Sequence, residues 1–347
     1  MISSQLYPRH PTRPAHLGHR SHPGQHHIQT FTMSSPKVIV FGATGTIGPF
    51  AARTAQEQGA KVYLALRDTE KPIPGLSAAD EAAAGFERVY ADLTNPETLR
   101  AAVAQTGATR AFLYMASGTA DHQRAGFEAL RAAGIDFVVY LSSYAISAAP
   151  QGPAARAIPP SLPLAYAHAQ VEIAIEDVFG LAGFVALRPT FFARNVLPWF
   201  KKTVPTEAGG VHIHLPYPEA VWDFIAPEDI GRVGGIVLAH GPAAYTGPSA
   251  ITLSGPRLLS QEEAVALVGK ALGKDIAVTG LRDQDALDYL VAGGRPAFLA
   301  KGFVEMLSTP FNYSGHQEAA ANVEKYGGRA STTFDRWVED HRSEFHL

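Results

Sequence analysis

The stretch KVIVFGATGTIG, residues 37–48, decides the fold. Its first half is a short unbroken apolar run, the pattern of a parallel strand buried on both faces. Glycines then fall at Gly42, Gly45 and Gly48, and a helical segment follows over about 48–58. Glycines at such a strand-to-helix turn let the backbone approach a pyrophosphate with no Cβ in the way. The helix behind them turns its unpaired N–H groups toward the phosphates. A glycine triplet alone often only connects two elements; between this strand and this helix it predicts a dinucleotide-phosphate loop.

The same rhythm continues outward. KVYLALR (61–67), FERVYAD (86–92), RAFLYMAS (110–117), DFVVYLSS (136–143) and GFVALRP (183–189) read as further strands, separated by helices near 96–105, 121–133 and 165–182. Strands and helices alternating at this spacing predict an α/β protein with a doubly wound parallel sheet. After Pro189 the pattern changes. VHIHLPY (211–217) alternates like a surface strand, residues 220–240 read as a strand leading into a helix, and AITLSG (250–255) and DIAVTG (275–280) as strands. Ser260 and Glu263 have capping-box spacing at the head of a helix over 260–273. Helices near 283–293, 297–308, 315–326 and 333–342 follow. The expected organisation is a nucleotide-binding domain over 36–189, to which segments near 221–255 add, and a smaller, mostly helical substrate portion over 190–347.

Composition excludes several classes. Of 347 residues, 46% are hydrophobic and 18% charged, and the net charge of −3 offers no basic field for nucleic acid or an anionic membrane. No apolar run reaches the roughly 18 residues of a transmembrane helix. With no cysteine there is neither disulfide nor thiol nucleophile, which fits a cytoplasmic protein; the expected partner is a small-molecule substrate and the expected state a monomer or homodimer. Residues 1–35 hold six of the 14 histidines and no acid. Their prolines argue for a disordered leader rather than a metal tract, and Met33 could equally be the start. His212 and His214 share one side of a strand without a recognisable third ligand, so no metal is expected. Glu228 and Asp229 read as helix-start residues.

Cofactor choice falls to the end of the second strand. An acid there suits the ribose of NAD; here Arg67 occupies the position, and its guanidinium fork suits the 2′-phosphate of NADP(H). Asp68, next in sequence, would oppose that if it pointed inward. Asp92 closes the third strand, as an adenine contact or as a loop cap.

These residues together resemble the NmrA-like branch of the atypical short-chain dehydrogenase/reductases. The matching pieces are GATGTIG with Arg67, ADL at 91–93, YLSS at 140–143, QVEIAIED followed by LRPTFFARN (187–195), and FIAPEDIG (224–231), spanning about 36–345. The resemblance implies a Rossmann domain with the substrate in a cleft against a small C-terminal domain. It implies that Thr44, Thr46 and Ile47 complete the phosphate loop and that Leu93 accompanies Asp92. Ala116 and Ser117 would line the nicotinamide ribose, with Ser142, Ser143 and Tyr144 beside the ring, Leu141 a further cofactor contact, and Pro189, Thr190 and Phe191 at the carboxamide. Phe192, Asn195 and Trp199 become substrate-side residues, although an aromatic cluster also serves as plain core. Members include reductases of quinones, enones and phenolics, and regulators that bind dinucleotide without turnover.

One departure stands out. Nicotinamide enzymes of this type use Tyr-x-x-x-Lys; here Tyr166 is followed by Gln170. A free tyrosine titrates near pH 10 and a neighbouring lysine favours its ionised form. Gln170 cannot do this. Tyr166 then donates a hydrogen bond, polarised by Ser143 or His168, to an easily reduced quinone, enone or iminium, or Tyr144 is the acid. A redox-silent isomerase or cyclase, a non-catalytic NADP sensor, or a tyrosine that only packs its helix would fit the same residues. The Pro/Ala-rich segment 147–163 is a candidate lid.

Overall fold

The computed structural model describes residues 35–116, 118–146, 153–201, 203–205, 210–309 and 315–345. The leader through Ser34, Ser117 and residues 147–152 of the expected lid lie outside the described residues. In chain order the first half comprises β1 (Lys37–Phe41), α1 (Gly48–Glu57), β2 (Lys61–Leu66), α2 (Ala78–Ala84), β3 (Glu87–Tyr90), α3 (Pro96–Thr106), β4 (Arg110–Tyr114), α4 (Arg124–Ala133), β5 (Phe137–Leu141), α5 (Pro153–Arg156), α6 (Pro163–Phe179) and β6 (Phe184–Pro189). The second half comprises β7 (Val204–Pro205), β8 (Val211–Pro216), β9 (Val221–Trp222), α7 (Pro227–Ala244), β10 (Ala250–Leu253), β11 (Leu259–Ser260), α8 (Gln261–Leu272), β12 (Ile276–Leu281), α9 (Asp283–Ala292), α10 (Ala297–Ser308), α11 (His316–Gly327) and α12 (Phe334–Asp340).

Among the described residues a seven-stranded sheet runs β10-β6-β5-β4-β1-β2-β3, parallel at every pairing. This is the doubly wound Rossmann arrangement, with the order reversing between β1 and β4. Alternation along each strand feeds two cores. Val38 and Val40 of β1 point to the layer of α1 and α7, while Ile39 and Phe41 point to the layer of α3, α4 and α6. Helix α7 lies very close to α1. A Cβ on Gly235 would stand 2.6 Å from the Ala51 carbonyl oxygen, and one on Gly231 would stand 2.4 Å from Phe50 Cβ. The GRVGG run thus seats the helix that heads the glycine loop.

A third core gathers Phe191, Phe224, Trp222, Ile213, Leu215, Phe334 and Trp337 around a small sheet, β12-β8-β7, and the C-terminal helices. The Ser260–Glu263 capping box forms as the sequence predicts. Sequence reading missed α2, whose Ala-rich run follows its own Ser77–Asp80 capping box. It also extended the fourth helix too early: Asp121 to Gln123 form a turn, and α4 starts at Arg124. No helix among the described residues is long and apolar enough to cross a membrane.

Candidate functional site

The glycine loop is tightly closed. Gly42 sits at φ +78°, in the left-handed region, with the Tyr114 ring over it; a Cβ there would be 3.0 Å from that ring. The Gly45 amide donates to the Gly42 carbonyl at 2.9 Å. A Cβ on Gly48 would stand 2.3 Å from the same carbonyl oxygen, so no larger residue fits without opening the turn. Ile47, before α1, gives no side-chain cap, and the first turn carries no acid. Pro49 has no N–H, and the Phe50 and Ala51 amides donate to the Ile47 carbonyl at 3.1 Å, so what this end offers an anion is the loop amides ahead of the helix and the positive end of the helix dipole. Thr44 is half-buried and Thr46 exposed at the mouth of the loop.

Arg67 is exposed directly after β2, and among the described residues no hydrogen bond or ion pair engages it. Asp68 turns away into its own turn, its Oδ1 accepting the Glu70 amide at 3.0 Å. Arg88 clamps this loop from β3, gripping Glu81 with two hydrogen bonds of 2.6 and 2.7 Å and donating to the Lys71 carbonyl at 3.0 Å. Asp92 Oδ1 caps its turn through the Thr94 amide and hydroxyl, at 2.9 and 2.8 Å. Leu93 is buried in the sheet core.

At the end of β4 the Ala116 amide donates to the buried side chain of Gln123 at 2.7 Å. Leu141 ends β5. Ser142 follows, donating its amide to the Leu187 carbonyl at 2.8 Å and its hydroxyl to Glu172 Oε1 at 2.5 Å. Glu172 also grips Arg188, through Oε2–Nη2 at 2.6 Å and Oε1–Nε at 3.1 Å, and both residues are buried. Sequence reasoning missed this pair. The available signal was a charged residue inside the apolar strand FVALRP, which burial obliges to find a partner.

Tyr166 is half-buried one turn into α6, with Gln170 four residues on along the same face. His168 points to the sheet instead: its Nδ1 is 3.1 Å from the Tyr140 hydroxyl, and burial pulls its pKa down to about 4. Burial also raises the Tyr140 hydroxyl well above the ordinary tyrosine value, with Glu172 adding to the effect. The Ser143 hydroxyl accepts the Ala145 amide at 3.1 Å. Tyr144 is half-buried and its pKa is raised, first by burial and then by Asp223. The turn from Tyr144 to Ile146 packs on α6 through Ile146 against Ala165 and Ala169.

Beyond β6, which ends at Pro189, the Thr190 hydroxyl donates to buried Asp223, which the Ser254 hydroxyl also reaches. Burial raises the Asp223 carboxyl pKa, and among the described residues its Oδ1 has no hydrogen-bond partner. Phe191 stacks on Trp222 at 5.0 Å and meets Phe224 edge-on at 5.6 Å, inside the third core. Phe192 is half-buried, Asn195 exposed, and Trp199 half-buried with its ring edge-on to Phe224 at 6.3 Å. His212 and His214 do share a face, with rings 4.9 Å apart, and no metal-binding cluster of three or more such side chains occurs among the described residues.

The parallel sheet, its order reversal and the closed glycine loop define a Rossmann-type α/β fold. A profile of the NmrA-like family matches residues 34–338, and the chain belongs to that family. It is 36% identical over 326 residues to a nitrogen metabolite regulation-like protein, bik4, of Gibberella fujikuroi, covering 88% of this chain and 98% of that one. It is 26% identical over 313 residues to an NAD(P)H azoreductase of Xenophilus azovorans, covering 89% and 99%. Its fold is similar to that of an NADPH-dependent quinone oxidoreductase of Escherichia coli, with a TM-score of 0.63 at 19% identity, covering 87% of this chain and 99% of that one.

Proposed function

We propose that the protein is an NADP(H)-dependent oxidoreductase that reduces a small conjugated or aromatic acceptor of quinone, enone or iminium type. The closed loop carries this reading: Gly48 packed on the Gly42 carbonyl leaves a cradle that a Cβ would fill, at the uncapped head of α1. Loop amides of Thr44, Thr46, Ile47 and Gly48 hold the pyrophosphate, and Arg67 pairs with the 2′-phosphate. Ala116, Leu141, Ser142 and Pro189 to Phe191 stand at the strand ends, where ligands of open parallel sheets bind. Bound NADPH supplies the two electrons. The chain's own part is to exclude water with Phe192 and Trp199, place the acceptor beside Asn195, and provide a proton from the Tyr166 hydroxyl at the acceptor oxygen. Gln170 brings no charge to that tyrosine, which favours acceptors whose reduced form is itself acidic or needs no proton. The azoreductase and quinone oxidoreductase names of the similar proteins point the same way.

A second reading is a dinucleotide-binding regulator without turnover, favoured by Gln170 and by the name of the 36% identical relative. Stopped-flow NADPH oxidation with a panel of quinones and enones separates the two. Turnover supports the reductase; tight NADP binding without turnover supports the regulator; product formation without net NADPH consumption supports an isomerase or cyclase.

A further inference from the structure

The helix that carries Tyr166 offers it no cation, but the loop after β4 offers it an imidazole. His122 packs edge-on to the Tyr166 ring, with centroids 6.0 Å apart and planes at 84°. The backbone that delivers it is unusual. His122 and Gln123 both lie in the left-handed region, at φ 53° and 67°, where residues with a Cβ rarely sit in succession. Surrounding bonds impose this conformation. Asp121 accepts the Gln123 and Ala125 amides at 3.1 and 2.9 Å, and buried Gln123 holds the Ala116 amide at 2.7 Å. One strained turn thus fixes the end of β4 and directs His122 at Tyr166, and such strain concentrates at functional sites.

We propose that His122 replaces the missing helix lysine as the positioning and proton-relay partner of Tyr166. In the relay, Tyr166 gives its hydroxyl proton to the acceptor oxygen as the electrons arrive, and the His122 imidazolium returns a proton to the phenolate. The neutral imidazole then takes one from water. The relay rests on the reductase reading. Of the other titratable groups on these elements, Asp121 caps the turn, Arg124 pairs with Asp177 and His168 faces Tyr140, while Tyr144, on the turn packed against α6, has its hydroxyl pKa raised by burial and by Asp223.

His122→Ala, assayed with NADPH and 2-cyclohexenone, an acceptor whose reduction needs a proton at oxygen, is expected to lose about tenfold or more in kcat. The NADPH Kd read by fluorescence should stay constant. Added imidazole should restore turnover, and the dependence on pH between about 6 and 8 should flatten. Full turnover in His122→Ala, or a loss that imidazole does not restore, overturns the proposal. A second measurement needs no turnover. In histidine-labelled, cofactor-free protein the His122 resonance, identified by its absence in His122→Asn, should titrate with a different midpoint in Tyr166→Phe. An unmoved midpoint overturns the pairing even if the wild type reduces nothing. A wild type that oxidises no NADPH while the midpoint does move defeats the reductase reading alone.

Discussion

Glu172 and Arg188 close a two-point ion pair beneath the ends of β5 and β6, with Ser142 as its third member. The pair joins α6 to the sheet at the level where the strands end. Removing one partner, as in Glu172→Ala, leaves a buried charge uncompensated and should cost about 3–5 kcal/mol. Replacing both by methionine should cost much less. Chemical denaturation of the two variants checks this, and equal losses in the single and double variants would show that the ion pair does not act as a unit.

Arg67 is exposed and, among the described residues, unengaged, and the Asp68 carboxylate accepts the Glu70 amide instead. Arg67→Ala should weaken NADPH binding roughly ten- to a hundredfold, the worth of one or two charge-assisted hydrogen bonds, and leave NADH binding nearly unchanged. Fluorescence titration with both nucleotides reads the contrast. An unchanged NADPH Kd would falsify the assignment of the 2′-phosphate to this residue.

His168 makes stability depend on pH in a defined direction. Burial lowers its folded pKa to about 4, whereas the unfolded ring titrates near 6.5. Between these values the unfolded chain binds more protons, so stability falls as pH drops from about 6.5 to about 4, by at most about 1.4 kcal/mol per pH unit. His168→Gln should flatten that stretch of the stability curve. An unchanged slope would place the titrating group elsewhere.

Gln170→Lys restores a cation one turn from Tyr166. Turnover of a quinone should change little, while a simple ketone that the wild type barely reduces should gain about tenfold or more. The alkaline limb of the pH profile should also move. If both acceptors and the profile are untouched, Tyr166 does not supply the proton.

The sheet was legible because its evidence is local. KVIVF, KVYLAL and FVVYL are continuous apolar runs at regular spacing, and each became a parallel strand. The closed glycine loop was legible for the same reason. What was hidden depends on residues meeting across the fold. Nothing near Glu172 in sequence announces Arg188, and His122 lies 44 residues before Tyr166. The orientation of His168 toward Tyr140 is set by which face of α6 meets the sheet. Leu93 and Phe191, read as ligand contacts through the resemblance, have side chains in the cores, which only packing reveals.

Strand β10, arriving more than 60 residues after β6, lies along it and closes that side of the sheet. Asn322 and Ser331 then tie the Thr252 and Ser254 carbonyls to the C-terminal segment, while Arg232 reaches the Gly327 carbonyl. Pro189 is therefore a poor place to cut the gene. A fragment ending there would bare the hydrogen-bonding edge of β6 and strip α7 from α1, and an exposed apolar edge recruits other chains. Expressed alone, the fragment through Pro189 should precipitate, and supplying the remainder in trans should rescue its solubility.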